Sequence, residues 1–255
     1  MIKLGTQKVK GMYLSGEKVE RAYLGETVVF TADKPARLPD GYTEVEYIDF
    51  DGNARINVGI SKSWPRYKTV VTLELLPNSA PGCFFGTSEF QRVKVTGVGQ
   101  KTYVSQQALE YDGSNVNITS SYSQYGGDPA VSASIPAAAG KMTVLCDNDN
   151  NIFAVNGKNA EFSAQYGGYA LPTVQLGCRS YKSKSHFDYA TTTTSYVEMM
   201  AFRFYEFISY NANGEISSHI VPCIRKSDGK TGVFLLHTES FVGVANGSIV
   251  AGPEI

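Results

Sequence analysis

Val197-Glu198-Met199-Met200-Ala201-Phe202-Arg203-Phe204-Tyr205-Glu206-Phe207-Ile208-Ser209 is the longest dense apolar and aromatic run in the chain. Its even positions carry Met200, Phe202, Phe204, Glu206 and Ile208. Its odd positions carry Met199, Ala201, Arg203, Tyr205 and Phe207. A strand sends alternate side chains to opposite faces, so this run read as a strand is largely apolar on both. That predicts an interior strand of a two-layer β protein, with a second sheet over one face and long loops over the other. A buried helix is the rival reading. The aromatic density and the turn Asn211-Ala212-Asn213-Gly214 just beyond favour the strand.

The chain has 255 residues, with 23 basic and 24 acidic side chains. That length suits one large β-sandwich with a small appendage, or two modest domains. The near-neutral balance supplies no broad basic field and argues against a nucleic-acid partner. Tyr and Gly are plentiful, and long apolar patterns of helical period are nearly absent, which points to all-β. The cysteines Cys83, Cys146, Cys178 and Cys223 are widely spaced. They form no CxxC pair, and His186, His219 and His237 do not cluster near them. They read as reduced core residues rather than zinc ligands. The opening Met1-Ile2-Lys3-Leu4-Gly5-Thr6 lacks the apolar core of a signal peptide, and no apolar run is long enough to span a membrane. The expectation is a protein made in a cytoplasm, with no cleaved signal and no membrane insertion.

Along the chain, the first thirty or so residues repeat with a period of about ten. Gly5-Thr6-Gln7-Lys8-Val9 is echoed by Gly16-Glu17-Lys18-Val19 and by Gly25-Glu26-Thr27-Val28-Val29. Met12-Tyr13-Leu14 is echoed by Ala22-Tyr23-Leu24. This predicts short strands joined by Gly-polar turns over residues 1–32, too small to fold alone. The module packs on its own main domain or serves docking and oligomerisation. Thr31 to Pro39, with two prolines, reads as a linker. A main domain follows over residues 38–255.

Strands are predicted at Glu44–Asp49, Ala54–Gly59, Lys68–Leu76, Cys83–Thr87, Gln91–Thr96, Lys141–Cys146, Ile152–Val155, Thr173–Cys178, Ile220–Ile224 and Gly232–Leu236. Asn156-Gly157 is a tight-turn signal, and Ser227-Asp228-Gly229-Lys230 is a second turn. Gly97 to Ala133 is polar and undecided, with short alternating pieces such as Val116-Asn117-Ile118-Thr119. Arg179 to Ser195 is polar and reads as a long exposed loop. Roughly twelve to fifteen short strands without crossover helices predict an antiparallel sandwich or jelly roll.

Two blocks at the ends of the main domain carry a resemblance. Leu38-Pro39-Asp40-Gly41-Tyr42-Thr43-Glu44-Val45-Glu46-Tyr47-Ile48, followed by Ile56-Asn57-Val58-Gly59-Ile60, is similar to the opening of concanavalin A-like (laminin-G-like) jelly-roll domains of bacteriophage and prophage virion proteins. Val221-Pro222-Cys223-Ile224-Arg225-Lys226-Ser227-Asp228-Gly229-Lys230-Thr231-Gly232-Val233 and the closing Ile249-Val250-Ala251-Gly252-Pro253-Glu254-Ile255 resemble the end of the same domains. The N-terminal repeat looks like a module that precedes such domains in phage tail proteins. Where the family carries Ser-Thr-Gly-Thr-Gln, this chain has Asp49-Phe50-Asp51-Gly52-Asn53. The resemblance implies a tail-associated virion protein with a lectin-like fold, and the fold by itself does not establish sugar binding.

Sugar-cleaving relatives on this fold set two carboxylates across the scissile bond, about 5–5.5 Å apart for retention. The close pairs here are Glu44 with Glu46, on one solvated strand face opposite Val45 and Tyr47, and Asp147 with Asp149 in a hairpin turn. Neither makes an acidic triad, and no nucleophile elbow occurs. The reading is not an enzyme, with no catalytic residues. Asp147-Asn148-Asp149-Asn150-Asn151 fails the helix-loop calcium pattern and reads as an Asx-rich turn. No cofactor or metal ligand is assigned, although the resemblance to laminin-G-like domains allows a calcium ion at the rim.

Ligand contact is assigned to aromatic residues in glycine-flexed polar loops: Tyr122 and Tyr125, Tyr166 and Tyr169, and Trp64 beside Pro65. Each offers a flat apolar face and a hydrogen-bonding edge suited to a sugar ring or a protein surface. The same rings could instead cap the sandwich or line a subunit contact. The functional expectation is a non-enzymatic virion protein of the tail or fibre, located in the virion. Its partners would be other virion proteins, further copies of itself, and a host-surface glycan or protein. A capsid decoration or head-fibre protein without ligand is the alternative, and a glycan-degrading enzyme the outside one.

Overall fold

A computed structural model describes the backbone of residues 37–60, 67–77, 79–95, 99–123, 131–162, 174–184 and 192–255, with short strand segments between residues 3 and 31. The chain divides into two compact units, Met1–Pro39 and Asp40–Ile255. The first holds three hairpins: β1 (Lys3–Leu4) with β2 (Gln7–Lys8), β3 (Met12–Leu14) with β4 (Glu17–Val19), and β5 (Arg21–Leu24) with β6 (Thr27–Thr31). Their closing pairs are Leu4 with Gln7, Leu14 with Glu17 and Leu24 with Thr27. Each ten-residue repeat is therefore one hairpin with two residues between its strands, one of them glycine.

The second unit begins with β7 (Tyr42–Glu44), β8 (Ile48–Asp51), β9 (Ile56–Ile60), β10 (Thr69–Leu75) and β11 (Gly82–Val95). Then come β12 (Gly99–Tyr111), β13 (Asn115–Ser123), β14 (Ala133–Pro136), β15 (Lys141–Asp147), β16 (Ile152–Val155) and β17 (Lys158–Glu161). β18 (Val174–Leu176), β19 (Arg179–Lys184), β20 (Thr192–Val197), β21 (Ala201–Tyr210) and β22 (Ile216–Arg225) follow. β23 (Lys230–Leu235), β24 (Ser240–Gly243) and β25 (Ile249–Ala251) close it.

The larger sheet runs β17-β16-β15-β10-β21-β22-β23-β24, with β8 and β25 continuing beside β21 and β7 beside β22. The smaller runs β14-β13-β12-β11-β18-β9, with β19 and β20 branching from β11. The sheets pack face to face as an antiparallel, jelly-roll-like sandwich, and no described residue is helical. Ring contacts stitch the layers: Phe84 meets Phe202 at 5.3 Å and Phe85 meets Phe207 at 5.5 Å, both edge-on. Each such buried ring contributes roughly 2–3 kcal/mol by removing apolar area from water.

β21 is the interior strand, flanked by β10 on one side and by β22 and β8 on the other. Its two apolar faces are not what they seem in sequence. Thr72 lies opposite Glu206 and Leu73 opposite Phe204, so Tyr205 is an extra residue, a β-bulge. The bulge switches parity. Phe202 and Phe204 face the core before it, and Phe207 and Ser209 are buried after it. Apolar residues of both parities thus serve one face, and the other carries Arg203, Glu206 and Ile208.

Three further expectations are corrected. Glu44–Asp49 is not one strand. It breaks at Glu46 and Tyr47, where the chain passes from pairing with β22 to pairing with β21. Gly82–Val95 is one strand where two were expected, at Cys83–Thr87 and Gln91–Thr96. Arg179–Ser195 is not a loop throughout: β19 pairs antiparallel with β20 and parallel with β11. The turn at Asn156-Gly157 is as expected. Both residues have positive φ, 49° and 79°, as a two-residue hairpin of this twist requires. Gly177 marks a tighter corner between β18 and β19. Its φ is +86°, and a Cβ there would lie 2.3 Å from the Ala54 carbonyl oxygen. All four cysteines are buried and unbridged. Burial pushes the Cys178 and Cys223 thiols up to about 12.

Candidate functional site

The aromatic residues assigned to ligand contact fall mostly outside the described residues. That holds for Trp64, Tyr125, Tyr166 and Tyr169. Tyr122 lies in β13 with its backbone opposite Ser105, and its side chain is outside the description. The acidic pairs behave as turn and surface residues. Glu44 is half-buried on β7 and Glu46 is exposed at the strand break. Asp147 accepts the Asn150 backbone N–H at 3.2 Å and its side-chain amide at 2.9 Å, an Asx turn that occupies both carboxylate oxygens. Among the described residues no group of three or more His, Cys, Asp or Glu side chains is placed to hold a metal ion.

Two outer faces remain. On the larger sheet the register lines up Lys141, Glu74, Arg203 and Asp49 on four adjacent strands. Charges of alternating sign therefore cross the sheet in one row, the favourable order for directly opposite pairs. Arg203 grips Asp49 with two hydrogen bonds, 2.7 and 2.9 Å, in the bidentate geometry its planar fork allows. The Asp49 carboxylate raises the guanidinium pKa. The bulge residue Tyr205 donates its hydroxyl to Glu74 at 2.6 Å. Burial and that carboxylate push the phenol up to about 12. Lys141 lies 3.7 Å over the Tyr205 ring and Arg203 3.6 Å over the Tyr47 ring. Gly252 also packs against Tyr47, where a Cβ would come within 2.7 Å of the ring. At the end of this row a shallow groove of about 420 Å³ opens beside Asp49, Asp51, Leu76, Pro77 and Val250. Its acids are already engaged: Arg203 holds Asp49, and the backbone N–H groups of Asn53 and Ser248 donate to Asp51.

The outer face of the smaller sheet is built differently. Leu109 and Ile118 point into the core, so Gln106, Ala108 and Glu110 on β12, and Asn117 and Thr119 on β13, point outward. Ser88 on β11 stands opposite Gln106 and Gly86 opposite Ala108. Arg179 sits beside Gly86 in the parallel register. Gly86 and Ala108 leave its path clear, since a Cβ on Gly86 would lie 2.6 Å from that of Ala108. Arg179 crosses β11 to reach Glu110 Oε1 at 3.2 Å, and its other terminal nitrogen pairs with Glu198.

Glu110 also accepts from Gln106 Nε2 and from the Thr119 hydroxyl, each at 3.1 Å. Burial pushes its carboxyl up to about 7. Arg179 opposes that rise and the Glu198 carboxyl, within hydrogen-bonding reach, adds to it. The Cys83 thiol lies at the same cluster and is pushed well above the usual range by burial and by the two glutamates.

This face also leaves polar atoms unanswered. Ser88 Oγ, Asn117 Oδ1 and Arg179 Nε are buried with no hydrogen-bond partner. Ser88 is 2 % exposed and Asn117 6 %. Glu198, 41 % exposed, is the solvent edge of the cluster. A fourth such atom, Gln107 Oε1, belongs to a residue of opposite parity on β12. Buried polar groups are bonded in the great majority of cases, so three orphans on one sheet face are a departure from the rule, and groups that both donate and accept would answer them.

Sequence reasoning did not find this cluster. Its one local sign is the alternation Val116-Asn117-Ile118-Thr119, which has a polar face but no chemistry of its own. Comparison with protein-family models, with curated proteins and with solved structures finds no match to this chain.

Proposed function

We propose that the protein is a non-enzymatic bacteriophage or prophage virion component of the tail or fibre, whose sandwich holds a host-surface glycan on the outer face of the smaller sheet. One observation carries the ligand half of this reading. Ser88 Oγ, Asn117 Oδ1 and Arg179 Nε are buried and unpartnered on one polar face. A sugar supplies hydroxyls that both donate and accept, and it suits a face of neutral amides and hydroxyls.

The virion half rests on the resemblance of the end blocks. The three N-terminal hairpins support it, because two-stranded ribbons of this size gain stability from something they dock on. Both glutamates of the polar face are engaged by one guanidinium, which argues against a free acid–base pair.

The test is a glycan-array screen of the full chain beside Ser88→Ala. That substitution deletes an unpaired hydroxyl, so folding should be unchanged or slightly improved. Saturable binding weakened about tenfold by Ser88→Ala is the expected result, in line with one lost hydrogen bond. Absence of any retained glycan overturns the ligand reading and leaves the capsid decoration role. Turnover of a polysaccharide overturns the non-enzymatic one.

A further inference from the structure

Glu110, Arg179 and Glu198 are far apart in sequence, and their positions in the fold are specific. Arg179 is the first residue of β19. Glu198 follows Val197, the last residue of β20, and Val197 pairs with Arg179. The two side chains therefore close the mouth of the β19–β20 hairpin. Glu110 belongs to β12, on the far side of β11. The ionic cluster thus fastens the base of the hairpin across β11 to the body of the sheet.

The backbone is committed at the same point. Glu198 has φ of +56°, in the left-handed region that non-glycine residues rarely occupy. Its carbonyl accepts the Cys83 N–H at 2.7 Å. From Glu198 the chain passes through Met199 and Met200 into β21, the central strand of the other sheet. Glu198 is therefore the joint between the hairpin and the core.

We propose that Glu110, Arg179 and Glu198 form a proton-operated clamp on the β19–β20 hairpin, closed while Glu110 carries a proton and loosened when it is ionised. With one proton the cluster is neutral: one guanidinium, one carboxylate, one carboxylic acid. Glu110 accepts from Gln106, Thr119 and Arg179, and a proton on its carboxyl adds a donor that can be turned to the Glu198 carboxylate. With both ionised, two like charges face each other in a partly buried site with one cation between them, and repulsion acts on the strained joint.

The surrounding groups do not compensate. β11 contributes Cys83 and Ser88, β12 contributes Gln106, and β13 contributes Asn117 and Thr119, all uncharged while Cys83 keeps its proton. Cys178 lies just before Arg179 and is likewise neutral. Asp112 reaches Asn117 and is held ionised by four hydrogen bonds, so it offers no proton near neutrality. Among the described groups Arg179 is the cation acting on Glu110. The value of about 7 for Glu110 puts the change across neutral pH. A carboxyl raised in this way favours the closed form below that value, and the preference is lost as pH rises through it.

The clamp shares Arg179 with the proposed ligand face but needs no ligand to operate, so its test uses the full chain alone. Hydrogen exchange, corrected for the intrinsic pH dependence of the amides, is followed from about pH 5.5 to 8.5. The expected result is a fall of about tenfold or more in protection of residues 179–184 and 192–197, with the β22–β23 hairpin unchanged. Glu110→Gln keeps the shape and carries no charge, and should hold the protection at the alkaline end. Should that variant fail to fold, the more exposed Glu198→Gln carries the same expectation. Protection independent of pH in the parent chain overturns the clamp, as does an equal loss in the variant that folds.

Discussion

The two outer faces of the sandwich use similar residues to opposite ends. On the larger sheet Arg203 sits between Asp49 and Glu74, and on the smaller Arg179 sits between Glu110 and Glu198. The difference lies in register and burial. Lys141, Glu74, Arg203 and Asp49 stand directly opposite one another, so each cation has an anion on the neighbouring strand and each aromatic ring has a cation over it. Arg179 must cross β11 to find Glu110, which burial holds up to about 7, while Glu198 meets it at the mouth of its own hairpin and its Nε finds no partner. A closed row is a structural surface. A strained, incompletely answered cluster is where chemistry or recognition has room.

The sharpest way to break this comparison is to remove each arginine. Arg179→Met leaves two carboxylates facing each other in a partly buried site and should cost about 3 kcal/mol at pH 8. At pH 5 Glu110 takes a proton and the cost should drop to roughly half, measured by urea unfolding at both values.

Glu110→Gln comes next. Its carboxyl is raised from 4.5 to about 7, so its contribution to stability is complete below the lower value and lost as pH climbs to the higher. The variant should therefore be more stable than the parent by about 2 kcal/mol at pH 8 and should flatten the slope between pH 5 and 7. His237 tests the sign independently. Burial lowers its pKa, so protonation is disfavoured in the fold, and a loss of stability on acidification below the ordinary histidine value should persist in the variant.

Arg203→Met sharpens the other side. Asp49 and Glu74 are a quarter exposed and water can take over much of their solvation, so the cost should be about 1.5 kcal/mol with little slope between pH 6 and 8. An effect as large and as pH-dependent as that of Arg179→Met would erase the contrast. Tyr205→Phe, which removes one hydroxyl donated to Glu74, should cost about 1 kcal/mol in the same assay.

Sequence alone reached the sandwich through local signals. β21 was legible because five aromatic or large apolar residues fall within seven positions. The N-terminal hairpins were legible because the spacing of their glycines repeats. Asn156-Gly157 was legible because few residue pairs accept positive φ twice in succession. What escaped is non-local. A bulge at Tyr205 exists only against β10, so its parity switch looks in sequence like apolarity on two faces. β19 and β20, with Lys, Ser and Thr on both parities, offer no apolar periodicity, and their strand character comes from pairing with each other and with β11. The polar face joins β11, β12, β13, β19 and the residue after β20, and no short window contains it. Trp64, Tyr125, Tyr166 and Tyr169 were conspicuous as aromatics in polar stretches of sequence but lie outside the described residues.

The four buried thiols give the molecule a built-in clock. Cys83 is in β11, Cys146 in β15 and Cys223 in β22, while Cys178 lies at the corner after β18, so both sheets carry reporters. Folded, each is shielded and held as the unreactive thiol. An alkylating reagent can modify a given site only when that part of the sandwich opens. The order in which the four are tagged, read by mass spectrometry under native conditions, would chart which strands part first and whether the two layers come apart together.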